Sequence, residues 1–393
     1  MSNPEKNKTS FFIRGFTQVA FLTVISRISG FVRDIFIAGF LGAGIISDIF
    51  LLAFKLPNLF RRITAEGALT SAFLPIYSKL KIQNGEILAF IYYKKVLYRV
   101  IIILFVLMII FQIIMPFIIH FLAPGFFNNE DVIKQITTLS RITIIFMPLI
   151  SIVAMLGVAT NVSGKFWILA FTPTILNSSI ILGCFFINDY WTIKSLPLAI
   201  ATVFGGLIQI MFILIMIKKF QIFEFNDLEK KNYFKKENKQ IKFEINQTWK
   251  KFLPAAFGGG ILQINLLVDT ILASLLGYGS ISYLYFADRV AQLPLGIIGI
   301  ALGTSLLTSL SKSDATKDVN QFSRELVISL KIGLFFSIPA ALVFINFSDL
   351  LIKVLFERGE FSFQETIQTS HALFAYAFGV PAFIILKSCQ PAF

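Results

Sequence analysis

The chain has 393 residues, of which 56% are hydrophobic and only 15% are charged, and its mean hydropathy is +0.78. Soluble domains carry about 25% charged residues, so this composition excludes a chain built only of soluble domains and predicts a core that partly faces lipid. The net charge of +13 does not indicate a nucleic-acid partner, because cytoplasmic loops of membrane proteins accumulate Lys and Arg.

Ten segments are long and apolar enough to be membrane spans, since a transmembrane helix needs about 20 mostly apolar residues. In chain order they lie near 15–40, 45–80, 96–122, 138–161, 166–188, 196–217, 252–276, 281–310, 326–356 and 369–390. The first, second and eighth carry charges, and we expect them to bend or to extend past the bilayer. The fold class is therefore all-α and polytopic.

Lys and Arg are concentrated in alternate connections between these spans. The connections 123–133 and 277–280 have none, whereas 218–251 has ten Lys and five acids. The alternation predicts a cytoplasmic N-terminus, with every even connection inside. We predict an N-lobe of six spans over 1–217, a basic cytoplasmic linker over 218–251 and a C-lobe of four spans over 252–393. A solvated linker is favoured over a lipid-binding patch because acids interrupt its lysines.

The chain repeats itself at an offset of about 235 residues. Residues 34–38 match 269–273, and the Gly-x-Gly turn of 41–44 matches that of 276–279. The shared Asp and the shared turn favour duplication over chance similarity between apolar helices. Each repeat begins after an even number of spans, so the halves are parallel. Such halves place a substrate site between them near the bilayer midplane, which predicts a transporter rather than a receptor or an anchor.

Charged side chains lie inside the first, second, seventh and eighth spans. Arg27 and Asp34 are seven residues apart and share a helix face, and Asp48, Lys55 and Arg62 form a similar stripe. Asn58 and Glu66 extend that stripe, Arg61 lies beside it, Arg33 precedes Asp34, and the later spans carry Asp269, Asp288 and Arg289. Arg62 and Glu66 are four apart and are predicted to pair.

Ionised side chains at membrane depth usually face a water-filled cavity or each other. For Asp34, Glu66 and Asp288 the alternative of packing ion pairs or snorkelling side chains stays open. For the arginines we favour binding, because the planar guanidinium donates two parallel hydrogen bonds to a phosphate. We expect guanidinium groups from both halves to meet in one wet chamber that binds an anionic, phosphorylated substrate.

Nothing in the sequence predicts an enzyme, a metal site or a bound cofactor. The cysteines Cys184 and Cys389 and the histidines His120 and His371 are isolated, with no disulfide or metal-ligand spacing. The run 258–260 of three glycines lacks the Gly-Lys-Ser/Thr of a phosphate loop, and we expect it to allow close packing or bending. The driving force is then expected to be an ion gradient, the membrane potential or substrate consumption.

Together these residues resemble the signature of the MurJ/MviN lipid II flippase family. The matching segments are Ser26-Arg27-Ile-Ser-Gly30-Phe31-Val-Arg33-Asp34, 42–44 with Asp48, 53–58, Arg61-Arg62, 65–68, 287–289, 302–304, 310–312 and the turn 356–359. The match is dense over 20–80 and 250–312 and weaker elsewhere. The resemblance implies the fold of the multidrug/oligosaccharidyl-lipid/polysaccharide exporter superfamily. It also implies a monomer in the bacterial inner membrane that moves lipid II to the periplasmic leaflet by alternating access, for cell-wall synthesis.

The resemblance also implies roles for individual residues. The residues assigned to substrate binding are Arg27, Arg33, Asp48, Lys55, Asn58, Arg61, Arg62, Glu66 and Arg289, with the arginines on the diphosphate, and Asp269 is a candidate ligand for a sodium ion. The family has fourteen helices and the sequence predicts ten, so we expect helices eleven to fourteen to be absent. The rest of the sodium site and much of the polyprenyl groove would be absent with them. Two alternatives stay open: an exporter of another polyprenyl-linked sugar or a drug, and an inactive truncated remnant.

Overall fold

The computed structural model describes residues 4–63, 69–223, 239–294, 296 and 319–389. Every regular element in these ranges is a helix, which confirms the predicted all-α class. In chain order the helices are α1 (Pro4–Leu41), α2 (Ile45–Ile63), α3 (Leu69–Asn84), α4 (Glu86–Leu122), a 3₁₀ turn (Pro124–Phe126), α5 (Glu130–Thr143), α6 (Phe146–Val162), α7 (Phe166–Cys184), α8 (Leu196–Lys219), α9 (Lys239–Leu275), α10 (280–294), α11 (Val319–Phe356) and α12 (Phe363–Cys389).

Seven helical segments among the described residues are long and apolar enough to cross a membrane. They coincide with seven of the ten spans that the sequence predicts. The three remaining predictions are the first, second and eighth spans. The span near 15–40 lies in α1, the span near 45–80 is divided between α2 and α3 with 64–68 outside the described residues, and the span near 281–310 runs from α10 into undescribed residues. The chain is therefore multi-pass, and the count of ten stays a prediction.

The chain divides into two compact units. The first consists of Met1–Phe36 and Ile49–Gly277, and the second of Ile37–Asp48 and Tyr278–Phe393. The end of α1, the turn after it and the start of α2 thus belong to the second unit, although the rest of both helices belongs to the first. The predicted lobes over 1–217 and 252–393 stay a prediction.

The second part of the predicted linker is a helix. Residues 224–238 lie outside the described residues, but 239–251 form the beginning of α9, which continues without a break into the seventh predicted span. Ile241, Ile245 and Thr248 are 3%, 2% and 1% exposed, and their spacing places them on one face of a helix. The sequence analysis did not identify this buried face, because it considered only the charged residues of the segment.

An aromatic cluster holds α9 against α3 and α4 in the first unit. Phe73 on α3 stacks on Tyr92 of α4 with ring centroids 5.4 Å apart, and Tyr92 Oη and Thr248 Oγ1 share a 2.5 Å hydrogen bond. Lys79 on α3 lies 3.5 Å from the Glu244 carboxylate of α9. The aromatic pair, worth about 0.5–1.5 kcal/mol beyond its buried area, joins α3 to α4, and the hydrogen bond and the ion pair join α9 to both.

Candidate functional site

A buried ion pair lies near the C-terminal end of α1, in the first unit. Arg33 is 8% exposed and Asp34 is 1% exposed. The Arg33 Nε and Nη2 atoms donate hydrogen bonds of 3.0 and 2.6 Å to Asp34 Oδ1, and the guanidinium lies 5.9 Å from the centroid of the Phe54 ring. A buried charge persists only when it is paired and hydrogen-bonded, and each member of this pair neutralises the other.

Asn177 on α7 completes this cluster, and the sequence analysis missed it. Its Oδ1 accepts a 3.0 Å hydrogen bond from Arg33 Nη1, and its Nδ2 donates to Ser29 Oγ at 2.9 Å and to the Ser26 carbonyl at 3.2 Å. One amide therefore ties α7 to two successive turns of α1. An amide in an otherwise apolar helix was the available signal, because polar groups at membrane depth need partners.

The other substrate-binding residues predicted on α1 and α2 differ in how far they are exposed. Arg27 is exposed, whereas Asp34, which the spacing places on the same helix face, is buried. On α2, Lys55 is half-buried, Arg62 is exposed, and Arg61 Nε donates a 3.2 Å hydrogen bond to Asn58 Oδ1. Glu66 lies outside the described residues, so its predicted pairing with Arg62 stays a prediction.

Asp48 is fully buried in the second unit, where it caps a helix of the second repeat. Its Oδ2 accepts a 2.6 Å hydrogen bond from the Gly279 backbone N–H, and its Oδ1 accepts a 2.8 Å bond from the Ser282 N–H and another from Ser282 Oγ. These donors lie at the start of α10, where backbone N–H groups lack intrahelical partners and the helix dipole favours a negative charge. The predicted contact between Asp48 and substrate stays a prediction, and the geometry by itself favours a structural cap.

The equivalent turns of the two repeats contact each other beside this cap. Ser282 Oγ also lies 3.3 Å from the Gly44 carbonyl, to which it can donate. Gly279 has φ +88° and leaves room for only a hydrogen at Cα, because a Cβ there would lie 2.9 Å from the Ala43 carbonyl oxygen. At the repeat offset Gly44 corresponds to Gly279, whereas Asp48 corresponds to Tyr283. The two turns are thus equivalent in the repeat, but only the first repeat supplies a capping carboxylate, which is Asp48.

The turn at 356–359, which the sequence singled out, packs on the end of α1. The Glu360 N–H donates a 2.9 Å hydrogen bond to the Gly39 carbonyl. Ser362 and Glu365 then form a capping box at the start of α12, in which Glu365 Oε2 accepts from the Ser362 N–H at 2.8 Å and Ser362 Oγ accepts from the Glu365 N–H at 3.3 Å. Residues 37–48 therefore lie between α10 and the start of α12.

Arg289 lies half-buried on α10 of the second unit. Its Nη2 donates to Tyr285 Oη at 3.3 Å, and its guanidinium lies 4.7 Å from the centroid of the same ring, which is a cation–π geometry. The neighbouring Asp288 accepts a hydrogen bond from Gln292, and Asp269 is exposed on α9. Whether Arg289 meets the arginines of the first unit in one chamber stays a prediction.

The described residues contain no group of three or more His, Cys, Asp or Glu side chains that could hold a metal ion. The sites that they do contain are a neutralised Arg–Asp–Asn cluster, a carboxylate that caps a helix, and three further arginines that are exposed or half-buried: Arg27, Arg61 and Arg289. This arrangement offers cationic hydrogen-bond donors for an anion.

Comparison with known proteins gives one consistent result. A family model described as "Lipid II flippase MurJ" matches residues 37–393. A probable lipid II flippase MurJ from Rickettsia prowazekii (strain Madrid E) is 36% identical over 380 residues, which cover 95% of this chain and 71% of that protein.

Solved structures agree with this similarity. A lipid II flippase MurJ in an inward closed conformation superposes with a TM-score of 0.76 at 27% identity, covering 95% of this chain and 75% of the other. An inward-facing multidrug-resistance MATE transporter superposes with a TM-score of 0.65 at 11% identity, covering 96% and 85%, which shows the shared fold alone.

Proposed function

The chain belongs to the MurJ family of lipid II flippases, and from that membership we propose that it moves lipid II across the cytoplasmic membrane. The family match over 37–393 carries this proposal. The chemistry of the arginines supports it, because guanidinium groups bind phosphate oxygens through paired hydrogen bonds. The MATE likeness is limited to the fold, and no described side chain favours a drug over a lipid-linked diphosphate.

We assign the diphosphate contacts to Arg27, Arg61 and Arg289, and a positioning role to Arg33. Arg27 is exposed, and Arg61 and Arg289 are half-buried, so a ligand can reach all three side chains. Arg33 donates to Asp34 and Asn177 and reaches a ligand only by exchanging those partners. Lys55, Asn58, Arg62 and Glu66 are assigned to the same substrate path along α2, as the stripe in the sequence indicates.

Several finer features belong to the same proposal. The protein acts as a monomer by alternating access, with its N-terminus in the cytoplasm, and it catalyses no covalent reaction. Its driving force is the membrane potential or a sodium gradient, with Asp269 as a candidate ion ligand. The positive-inside distribution of Lys and Arg supports the orientation, and accessibility labelling of a cysteine introduced at position 188 against one at position 221 tests it.

Complementation tests the function directly. The 393-residue chain is expressed in a strain depleted of its own flippase, and externally accessible lipid II is measured in spheroplasts. We expect growth and lipid II exposure to be restored, and we expect Arg27→Ala and Arg289→Ala to abolish both at wild-type expression. Full activity of both variants would exclude the proposed diphosphate contacts, and failure of the unmodified chain at normal expression would exclude the flippase activity.

A further inference from the structure

The stretch of α1 that carries Arg27 is weakly fixed by packing. None of residues 17–32 is buried, and burial on α1 begins at Arg33. A guanidinium binds a phosphate through two parallel hydrogen bonds, so its position and direction matter for binding. A side chain that is already held in its bound position also loses less entropy when the ligand arrives. Arg27 therefore needs directional contacts that hold the backbone beside it.

Asn177 on α7 supplies such contacts on both sides of Arg27. Its Nδ2 donates to the Ser26 carbonyl at 3.2 Å and to Ser29 Oγ at 2.9 Å, and Ser29 Oγ donates to the same Ser26 carbonyl at 2.9 Å. The Ser26 carbonyl belongs to the planar peptide group that joins Ser26 to Arg27. Because the amide fixes this carbonyl, it also fixes the direction in which the Arg27 side chain leaves the helix. A Cβ at Gly30 would lie only 3.4 Å from Asn177 Nδ2, so this part of α1 lies directly against the amide.

The buried ion pair sets the orientation of this amide. Arg33, which is bonded to Asp34, donates a 3.0 Å hydrogen bond from Nη1 to Asn177 Oδ1. An amide side chain has an acceptor oxygen and two N–H donors, so an Oδ1 held by a cation turns both Nδ2 hydrogens toward α1. Hydrogen bonds to an ionised group are roughly twice as strong as neutral ones. One continuous set of hydrogen bonds therefore runs from the Asp34 carboxylate to the peptide group beside Arg27.

We propose that Asn177 is a positioning residue for Arg27, which holds the turn of α1 from which Arg27 reaches the diphosphate. The inference rests on the proposed function, specifically on the contact between Arg27 and the diphosphate, and adds to it a residue of α7 that lies outside the sequence signature. Asn177 acts through the backbone of α1 and does not touch the ligand, because it is 6% exposed and its oxygen and nitrogen are bonded to Arg33, Ser26 and Ser29.

The test measures the Kd of undecaprenyl diphosphate for the purified full chain in double-mutant cycles. Asn177→Ala and Ser29→Ala are each placed in three backgrounds: wild type, Arg27→Ala and Arg61→Ala. Arg61 is assigned to the same ligand but lies on a different helix, α2. An effect that acts through Arg27 disappears when Arg27 is removed, whereas an independent effect persists. If Asn177→Ala does not fold, Ser29→Ala still tests the proposal, since it leaves the bond between Arg33 and Asn177 in place.

Gln209→Ala is the matched control for the loss of a buried amide. Gln209 is fully buried on α8, and its Nε2 donates a 2.6 Å hydrogen bond to the Thr172 carbonyl of α7, so it joins α7 to α8 as Asn177 joins α7 to α1. It should lower the melting temperature without changing the Kd. Hydrogen exchange of the amides of 26–30 in the ligand-free chain measures the turn directly. This exchange should rise in Asn177→Ala and Ser29→Ala and stay unchanged in Gln209→Ala.

We expect Asn177→Ala to raise the Kd roughly fivefold in the wild-type and Arg61→Ala backgrounds and less than about twofold in the Arg27→Ala background. Ser29→Ala should follow the same order with a smaller factor. The full loss in the Arg27→Ala background would overturn the proposal, because the amide would then act by another route. An unchanged Kd in the wild-type background would overturn it too, as would an equal loss in Gln209→Ala, which would indicate general destabilisation.

The two proposals can fail separately. If Arg27→Ala raises the Kd about tenfold or more, as the loss of a charged hydrogen bond predicts, but Asn177→Ala does not follow the expected order, only the positioning role is wrong. If Arg27→Ala binds normally, the assigned Arg27 contact is wrong and the positioning role with it. If the wild-type chain neither binds undecaprenyl diphosphate nor exposes lipid II in spheroplasts, the flippase function itself is wrong.

Discussion

Asp34 and Asp48 are both buried carboxylates near the α1–α2 turn, yet they are stabilised in different ways. Asp34, in the first unit, is neutralised by the Arg33 guanidinium at 2.6 Å. Asp48, in the second unit, has two backbone N–H groups and one hydroxyl at the start of α10. One carboxylate therefore depends on a side-chain charge and the other on the end of a helix. Both carboxylates are thus held by contacts within the protein, and the predicted contact of Asp48 with substrate stays a prediction.

The largest effect is expected from Asp34→Ala, because it leaves the Arg33 guanidinium buried without its carboxylate. Removing one partner of a buried ion pair costs about 3–5 kcal/mol. We expect the SDS-induced unfolding midpoint to fall strongly, and we expect Arg33→Met in the same chain to restore most of the loss. Asp189→Ala is the control, since the Asp189 side chain is 90% exposed in its pair with Lys194. If Arg33→Met restored nothing, the cost would not arise from the stranded charge.

Asp48→Ala is expected to destabilise by about 2 kcal/mol, since loss of a helix cap costs about 0.5–2 kcal/mol and the N–H groups it leaves are buried. Asp48→Asn keeps an oxygen acceptor and should recover about half of the loss. No second substitution should restore stability as Arg33→Met does for Asp34, because two of the donors belong to the backbone. Hydrogen exchange at the start of α10 measures the cap locally, and unchanged protection in Asp48→Ala would contradict it.

Asn177→Ala extends the comparison to the helix that supports Arg33. It removes one charge-assisted hydrogen bond and two further bonds to α1, so we expect a loss of about 1–3 kcal/mol. Asn177→Asp is the informative partner variant, because it places a second carboxylate beside Arg33 and loses both donors to Ser26 and Ser29. A positioning role also predicts that Asn177→Ala changes the affinity for undecaprenyl diphosphate less than Arg61→Ala does. The opposite order would indicate that Asn177 itself contacts the ligand.

The apolar runs in the sequence predicted seven segments that the structure shows as helices long and apolar enough to cross a membrane, and the signature residues indicated the family. The spacing did not predict which helices the polar side chains meet. The Asp34 partner is the adjacent Arg33 rather than Arg27 seven residues away, because the neighbouring guanidinium can fold back to the carboxylate. The partners of Asp48 are more than 230 residues away at Gly279 and Ser282, and no periodicity within one helix can identify a backbone N–H at that distance.

The smallest effect is expected from Ser282→Ala, and it measures how the Asp48 cap is divided between backbone and side chain. The substitution removes the hydroxyl that donates to Asp48 Oδ1 but leaves the backbone bonds of 2.6 and 2.8 Å from Gly279 and Ser282. A single hydrogen bond contributes about 0.5–1.5 kcal/mol, and the remaining acceptor keeps two donors. We therefore expect a loss near 1 kcal/mol, below that of Asp48→Ala, with protection of the α10 amides retained. Asp48→Ala already removes the carboxylate to which the Ser282 hydroxyl donates. The double variant Asp48→Ala/Ser282→Ala should therefore cost little more than Asp48→Ala alone. Additive losses in that double variant would show that Ser282 stabilises α10 through a contact other than the carboxylate.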